Sequence, residues 1–398
     1  MLTALFWFAV IFTLYAYIGY PVLIIAWAKL KKRKNHSLKF LPQVTLLIPA
    51  YNEEVFIAQK LENSLALDYP PEKLQILVVA DGSSDRTPDI VREFSDRGVE
   101  LAYIPERGGK MAAINRSINM ADGEIVVFSD ANNMYEPQTL RALTAPFVDR
   151  AVGSVTGAKH IIQDGRRLSA AEGLYWRYES AIKTSETIVG SCTSAVGEML
   201  AVRRELFETP PKEIVNDDHY IVLDLMRRGY KNVYTTAARS FEYVSLSAAD
   251  EVVRRARMNA GLFQTISLSR KLLPWKRPLW VWQLFSHKFS RAFVPFMMLL
   301  ALLTNVLIVL RPVQQVTYPF WQLAVPFSYI FLGLQIVFYT MAVIGRRFKI
   351  GGIMGKILYL PTFLVNSNVA VVSGLFNFLN GQQSHIWQRV QRGGGAAS

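Results

Sequence analysis

Long uncharged segments flank a stretch of mixed polar and apolar positions in this chain. Four segments contain no Asp, Glu, Lys or Arg, namely Met1 to Ala28, Ala292 to Leu310, Pro312 to Gly345 and Ile357 to Gln388. Each is close to, or longer than, the roughly 20 residues that an α-helix needs to cross the hydrocarbon core of a bilayer. The pattern therefore predicts membrane-spanning helices on both sides of a central domain.

The stretch between the first and second of these segments, from about Gln43 to Trp275, has the pattern of a water-soluble domain. Apolar runs typical of buried strands alternate there with helical periodicity. The predicted strands are Val44 to Ile48, Ile76 to Ala80, Leu101 to Ile104 and Ile125 to Ser129, and the predicted helices are Val55 to Leu67, Thr87 to Arg97 and Met111 to Met120. This alternation predicts an α/β fold with a mostly parallel sheet and ligands at the carboxyl ends of its strands.

Charge places the domain relative to the membrane. The chain is 51% hydrophobic and 19% charged, with a net charge of +13, and a basic cluster follows the first apolar segment at Lys29, Lys31, Lys32, Arg33 and Lys34. By the positive-inside rule we expect the amino terminus outside and the central domain in the cytoplasm. Because other basic residues also lie beside apolar segments, we assign the charge to lipid headgroups and expect no nucleic-acid partner.

These features divide the chain into three predicted regions. Residues 1–40 form a transmembrane anchor with a basic linker, residues 41–275 a cytoplasmic domain, and residues 276–398 an interfacial helix with two to three spans. The single cysteine, Cys192, excludes an intrachain disulfide and is typical of a reducing compartment. The expected location is the bacterial inner, or plasma, membrane.

Polar loops follow the predicted strands, where a ligand of such a sheet would bind. The loop from Asp81 to Asp85 has carboxylates that can hydrogen-bond a base or ribose, although Ser84 or Asp85 can equally cap the next helix. The loop from Arg107 to Lys110 opens the third helix with two glycines. Free backbone N–H groups and a lysine there suit a diphosphate, and a surface turn with a solvated lysine is the alternative.

The loop after the fourth strand carries a candidate metal site. Asp130 and Asn132 lie two residues apart there. Their oxygens can hold a hard divalent cation that bridges two phosphates, so Mg2+ or Mn2+ is the expected cofactor. An Asx turn that ends the strand is the alternative.

Two further motifs lie towards the end of the central domain. Asp217 and Asp218 precede an apolar helix, where a carboxylate can act as a general base or can simply stabilise the positive end of the helix. Arg254 and Arg257, with Arg255 between them, can bind a diphosphate through bidentate hydrogen bonds. A helix side that faces lipid headgroups is the alternative for the arginines.

The order of these motifs resembles the family 2 glycosyltransferases, specifically the membrane-embedded branch that includes cellulose, hyaluronan and chitin-oligosaccharide synthases. The resemblance extends from about Leu41 to Arg392, and it is also carried by Val44 to Glu54, Gly197 to Glu205 and the pair Gly229-Tyr230. It implies a GT-A fold with a nucleotide-sugar site, a metal site and a catalytic base. The implied nucleotide-sugar ligands are Tyr51, Glu53, Asp81, Lys110, Asp130, Arg254 and Arg257, the metal ligands are Asp130 and Asn132, and the catalytic residues are Asp218, as the base, and Asp217.

Two departures from the family pattern bear on function. The usual Asp-Xaa-Asp is Asp130-Ala131-Asn132 here, which weakens the expected metal affinity because an amide is a neutral ligand. The Gln-Xaa-Xaa-Arg-Trp motif of processive synthases keeps Arg257 but has Met258 in place of the Trp. The aromatic platform for a growing glycan is therefore missing at that position.

The resemblance implies an inverting transferase that moves a sugar from a nucleotide-sugar, with a UDP-sugar as the expected donor, to a growing polysaccharide. Coupling to export stays open, as does a homo-oligomer or an accessory export subunit. The first alternative is a non-processive transferase that adds one sugar to a polyprenyl phosphate or another lipid. The second is of another class, a membrane transporter or scaffold with a vestigial nucleotide-binding domain.

Overall fold

The computed structural model describes residues 1–32, 37–162, 167–242, 248–312, 316–348, 350 and 352–381. Within these residues the chain forms two compact units. The sheet unit contains Ile24–Asp250 and Gln264–Leu284, and the helical unit contains Met1–Leu23, Glu251–Phe263 and Phe285–Gln383, so far as those ranges are described.

The sheet unit is built on one mixed sheet. Its strands are β1 Val44–Ala50, β2 Leu74–Asp81, β3 Val99–Ile104, β4 Ile125–Phe128, β5 Met134–Tyr135, β6 Val152–Ile161, β7 Leu200–Arg203 and β8 Lys231–Glu242. Their order across the sheet is β3-β2-β1-β4-β7-β6-β8-β5. The first four strands pair in parallel, as the sequence predicts. Strand β7 is antiparallel to β4 and β6, and β5 is antiparallel to β8, which the sequence did not predict.

The helices are α1 Leu2–Leu14, α2 Tyr20–Lys29, α3 Ile57–Leu65, α4 Thr87–Arg92, α5 Lys110–Ser117, α6 Thr139–Thr144, α7 Arg167–Val189, α8 Asp217–Arg227, α9 Ala248–Ser267, α10 Ser269–Leu272, α11 Pro278–Leu284, α12 Ser290–Leu310, α13 Phe327–Arg347 and α14 Gly352–Leu379. Helix α4 is shorter than the sequence predicts. A 3-10 turn at Ser95–Arg97 follows it and ends at Gly98, whose φ of 84° is left-handed and stops the helical run.

The core of the sheet unit explains why its strands are almost wholly apolar. Val44, Leu46, Ile48, Val78 and Val127 are buried in one cluster with residues of the flanking helices. Leu47 and Leu77, which point to the other face, are also fully buried. A parallel sheet covered on both faces needs apolar side chains on both, so its strands do not alternate. The polar loops that follow β1, β2 and β4 therefore lie together at the carboxyl edge.

Among the described residues, four helical segments are long and apolar enough to cross a membrane: Leu2–Lys29, Pro278–Leu310, Phe327–Arg347 and Gly352–Leu379. One-turn π-helical segments join α1 to α2 and α11 to α12, which makes the first two segments continuous. The second segment begins earlier than predicted, and the described part of the third forms a long helix only from Phe327. In the helical unit, Phe6 and Ala9 of α1 pack against Ala301 and Ile308 of α12.

The last apolar segment is the one that the sequence marks as most prone to be re-entrant or broken, because it contains Pro361 and several polar residues. In the structure it is one continuous helix, α14, and Pro361 lies inside it. The helix ends at Leu379. The part of the predicted segment beyond Gly381 lies outside the described residues.

Candidate active site

Asp81 is the last residue of β2 and its carboxylate is buried at the carboxyl edge of the sheet. Its Oδ2 accepts hydrogen bonds from the backbone N–H groups of Gly108 (3.0 Å) and Gly109 (2.6 Å), and its Oδ1 pairs with Nη1 of Arg116 at 2.7 Å. The sequence suggested these N–H groups as ligands for a diphosphate, and in the structure they donate to Asp81. Asp81 thus anchors the glycine loop, and sequence reasoning missed Arg116.

Tyr51 and Glu53 lie in the loop after β1, which is tied to the loop after β2. The backbone N–H of Glu53 donates to Oγ1 of Thr87 at 2.8 Å, and the side-chain oxygen of Asn52 accepts from the N–H of Ser84 at 2.8 Å. The bonds hold the first two predicted nucleotide loops side by side. Asp85 also accepts the N–H of Thr87, the first residue of α4, at 2.9 Å, while the N-cap position itself is Arg86.

Arg107 begins the loop from Arg107 to Lys110, and the sequence assigned it no role. Its guanidinium carbon lies 3.6 Å from the ring centroid of Tyr51, a stacked cation–π contact. Arg107 also packs against Gly82, which has a φ of +67°. If residue 82 had a side chain, its Cβ would lie 2.7 Å from Cβ of Arg107. Only a glycine at position 82 lets the two loops approach this closely.

Lys110, the first residue of α5, forms an ion pair with Asp130 after β4. Its Nζ lies 2.8 Å from Oδ1 of Asp130, and both side chains are largely buried. Burial on its own would lower the pKa of Lys110, but the charges of Asp130, Asp217 and Asp218 and the hydrogen bond to Asp130 raise it above its ordinary value. The amine is therefore held as a cation among three carboxylates.

A cleft opens beside this lysine. Its lining includes Lys110, Met111 and Ala112 from the first turn of α5, together with Lys212, Ile214 and Asp217. The first backbone N–H groups of a helix have no partner within the helix and favour an anion. Two lysines and the first turn of α5 thus make the cleft suitable for a phosphate group.

The predicted metal ligands Asp130 and Asn132 lie in the turn after β4. One oxygen of Asp130 already contacts Lys110, and Asn132 is half-buried. Among the described residues, no group of three or more His, Cys, Asp and Glu could hold a metal by itself. Mg2+ is commonly held by one or two carboxylates plus substrate phosphates, so this donor set fits a cation that arrives with a diphosphate.

Asp217 and Asp218 begin α8, as predicted. Asp217 is buried and lines the cleft, whereas Asp218 accepts a hydrogen bond from the N–H of His219 at 2.7 Å through its Oδ1. Gly197 faces the other oxygen of Asp218, since an added Cβ there would lie 3.1 Å from Oδ2. Both carboxylates also lie in the first turn of the helix, so they stabilise its positive end too.

Arg254 and Arg257 lie on α9, in the part that belongs to the helical unit. Arg254 contacts Sδ of Met258, one turn along the helix, at 3.5 Å. The other predicted site residues belong to the sheet unit. A diphosphate contact by these two arginines therefore stays a prediction.

Part of the sheet unit matches a known protein family. Residues 45–209 match the family model described as glycosyl transferase family 2. Over 140 residues the chain is 37% identical to the probable glycosyltransferase YdaM of Bacillus subtilis, which covers 34% of this chain and 33% of that protein. Over 215 residues it is 26% identical to the poly-beta-1,6-N-acetyl-D-glucosamine synthase of Staphylococcus aureus strain COL, with 52% of each chain covered. The chain thus spans about a third and about half of the length of these relatives.

A solved structure supports the fold. The chain is similar to the mannosyltransferase PcManGT from Pyrobaculum calidifontis, whose structure contains GDP-Man and Mn2+. The TM-score is 0.70 at 22% sequence identity, and the similarity covers 95% of this chain and 99% of that chain. The predicted GT-A fold is therefore confirmed, together with helices that flank the domain.

Proposed function

The chain carries a glycosyl transferase family 2 domain over residues 45–209, and from this premise we propose that it is an inverting glycosyltransferase that moves a sugar from a nucleotide-sugar to a growing polysaccharide. The observation that carries the proposal is the largely buried ion pair between Nζ of Lys110 and Oδ1 of Asp130, at 2.8 Å. The charges of Asp217 and Asp218 also act to raise the pKa of Lys110. Lys110 lines the cleft as a cation for a leaving diphosphate, and it pairs with Asp130, the proposed metal ligand. Asp217 lines the same cleft and directly precedes the proposed base, Asp218, in the chain. The similarity to a polysaccharide synthase supports the same class of product.

The donor would lie across the loops at the carboxyl edge of the sheet. Tyr51 and Arg107 offer a flat surface for a base, and Glu53 lies next to Tyr51 in the same loop. Lys110 and the first turn of α5 would bind the diphosphate, with Asp81 holding the glycine loop in place. A divalent cation at Asp130 and Asn132 would neutralise charge that develops on the leaving nucleoside diphosphate. Arg254 and Arg257 would add bidentate contacts to it.

Asp218 is the proposed general base. The carboxylate would take a proton from the acceptor hydroxyl, whose oxygen then forms the new bond at the anomeric carbon while the bond to the nucleoside diphosphate breaks. Attack from the face opposite the leaving group inverts the anomeric configuration. Asp217 lines the cleft next to it, where its charge favours a protonated Lys110.

A second candidate function is the transfer of a single sugar to a polyprenyl phosphate or another lipid. Met258 favours it, because a Trp at this position would offer a stacking platform for a growing glycan and a Met does not. Both functions share the donor site and the base. They differ in the acceptor and in the number of sugars that are added.

The four apolar helices support membrane embedding, and the proposed location is the bacterial plasma membrane with the sheet unit in the cytoplasm. Lys29 ends the first apolar helix and Lys31 follows it, on the side that the positive-inside rule assigns to the cytoplasm. Nucleotide-sugars are polar and cannot cross the hydrocarbon unaided, so a cytoplasmic site fits a cytoplasmic donor pool.

The experiment is a donor screen with full-length protein purified in detergent and returned to lipid. UDP-sugars and GDP-mannose are supplied with Mn2+ or Mg2+, and release of nucleoside diphosphate and the labelled product are both measured. We expect one donor to be turned over, with activity lost in EDTA and restored by the metal. The Asn132→Asp variant should need less metal for half-maximal rate. Absence of sugar transfer from every donor contradicts the proposal, and a product with one sugar on a lipid selects the second candidate.

A further inference from the structure

Lys60 is a lysine of α3 that no motif singled out, and it is fully buried beneath the candidate active site. Its Nζ donates to the backbone oxygen of Asn133 at 2.8 Å and to Oδ1 of Asn133 at 3.1 Å, and it lies 4.1 Å from the ring centroid of Tyr135. Burial lowers the pKa of Lys60 to about 7, although the charges of Asp130 and Glu198 oppose the shift. A lysine is almost never fully buried without a specific set of partners, and here these partners follow Asp130 in the chain.

The partners of Lys60 connect the Asp130 turn to the segment before β7. Nδ2 of Asn133 donates to the backbone oxygen of Glu198 at 2.9 Å, and the hydroxyl of Tyr135 donates to the same oxygen at 2.7 Å. Oγ of Ser129 also donates to Oδ1 of Asn133 at 3.1 Å. Both ends of the turn that contains Asp130 are thus bonded through Asn133.

The connection continues to the proposed base. Gly197 precedes Glu198 and faces the carboxylate of Asp218. A Cβ added at position 197 would lie 3.1 Å from Oδ2 of Asp218. The Glu198 side chain is itself fixed, because its carboxylate pairs with Lys159 at 2.7 Å and accepts from Ser240 at 2.9 Å. A shift of Asn133 would therefore move the Asp130 turn relative to a segment that is held against Asp218.

We propose that Lys60, Asn133 and Tyr135 form a buried brace that sets the distance between the Asp130 turn and Asp218, with Lys60 as a positioning residue. The inference rests on the proposed function, because an in-line displacement needs the leaving group, the anomeric carbon and the base in one alignment. A misplacement of about 1 Å can cost about 100-fold in rate. The brace holds this alignment from below, without contact to the substrate.

The test uses three variants of the full-length protein. Lys60→Met keeps the length of the side chain but removes its hydrogen bonds, and Tyr135→Phe removes only the hydroxyl that bonds Glu198. Lys73→Met is the matched control, since Nζ of Lys73 also donates to a backbone oxygen, that of Leu41, at 3.0 Å, but near the amino end of β2. We expect kcat to fall about 10- to 100-fold in the first two variants, with KM for the donor and Kd for the nucleoside diphosphate within about twofold. The control should keep the wild-type kcat.

A second readout separates this inference from the proposed function. Hydrogen exchange is measured in wild type and variants over residues 129–135, 197–199 and 217–220. We expect faster exchange in all three segments in Lys60→Met and unchanged exchange there in Lys73→Met. Wild-type kcat, or exchange confined to residues 129–135, overturns the brace. A wild-type protein that transfers no sugar contradicts the proposed function. In that case the hydrogen-exchange data alone test whether the brace connects the three segments.

Discussion

At the scale of single residues, the carboxylate of Asp218 lies between the N–H of His219 and the bare Cα of Gly197. Asp218→Asn retains the shape and an oxygen that accepts from His219, but it removes the basic group. We expect glycosyl transfer to fall by about two to four orders of magnitude, the usual effect of a lost general base. Nucleoside diphosphate binding, measured by calorimetry, should stay near the wild-type value.

The matched control for this change is Asp149→Asn. Asp149 also accepts a backbone N–H, from Ala151 at 3.0 Å, but it precedes β6 at the amino edge of the strand. It should leave turnover unchanged. Near-normal turnover in Asp218→Asn would instead move the base to Asp217, and Asp217→Asn would then show the larger loss.

At the scale of elements, the loops after β1 and β2 and the loop before α5 form one assembly. Gly82 has a φ of +67° and its added Cβ would lie 2.7 Å from Arg107, whereas Gly98 has a φ of +84° and nothing within 4 Å. An alanine at either position is strained by about 1–3 kcal/mol. Only at position 82 does it also push Arg107 away from Tyr51.

We therefore expect Gly82→Ala and Gly98→Ala both to lower the melting temperature, Gly82→Ala by more because of its clash with Arg107, and to differ in donor binding. KM for the donor should rise about tenfold or more in Gly82→Ala, equivalent to about 1.4 kcal/mol, and should stay unchanged in Gly98→Ala. The measurement is steady-state kinetics at a temperature where both variants are folded. Equal KM values would show that the donor does not use the Tyr51–Arg107 surface.

At the scale of the whole molecule, polar side chains in the apolar helices bear on export. The sequence favours a glycan path because Gln322, Gln335, Asn366, Asn368 and others lie in or beside these segments. In the structure, Nδ2 of Asn305 on α12 donates to Oε1 of Gln335 on α13 at 3.1 Å, so this pair bonds two helices to each other. Some of the polar groups thus stabilise helix packing, while Gln314, Gln315, Gln382 and Gln383 lie outside the described residues.

An exporting synthase and a lipid-modifying transferase differ in where their product ends. We expect purified protein in liposomes, supplied with a labelled donor outside, to deliver label into the lumen as glycan that resists an added glycosidase. The sheet unit must face outward in the preparation, which protease accessibility establishes. If all label is extracted with lipid and carries one sugar, the polysaccharide proposal is wrong. A second copy or an accessory subunit is tested by adding membrane extract to the same liposomes.

The sequence by itself determined the long apolar segments, the parallel half of the sheet and the loops that carry Tyr51, Asp81, Lys110 and Asp130. These features depend on local properties, since hydrophobic run length and periodicity report on burial, and the residue after a buried strand lies at the carboxyl edge. The approximate bounds of β1 to β4 followed in the same way. The end of α4 did not, because the predicted helix runs to Arg97, whereas α4 ends at Arg92 and a separate 3-10 turn follows at Ser95–Arg97.

Only the tertiary structure decided which partner each polar group has. The sequence predicts Asp81 as a nucleotide ligand, and only the structure shows that it anchors Gly108 and Gly109 and pairs with Arg116, which lies 35 positions further along the chain. Lys60 belongs to no motif of the sequence, and it is buried because α3 packs over a turn 73 positions away. Hydrogen bonds and ion pairs depend on atoms within about 3 Å, and sequence spacing does not report distances between residues that meet only when the sheet forms.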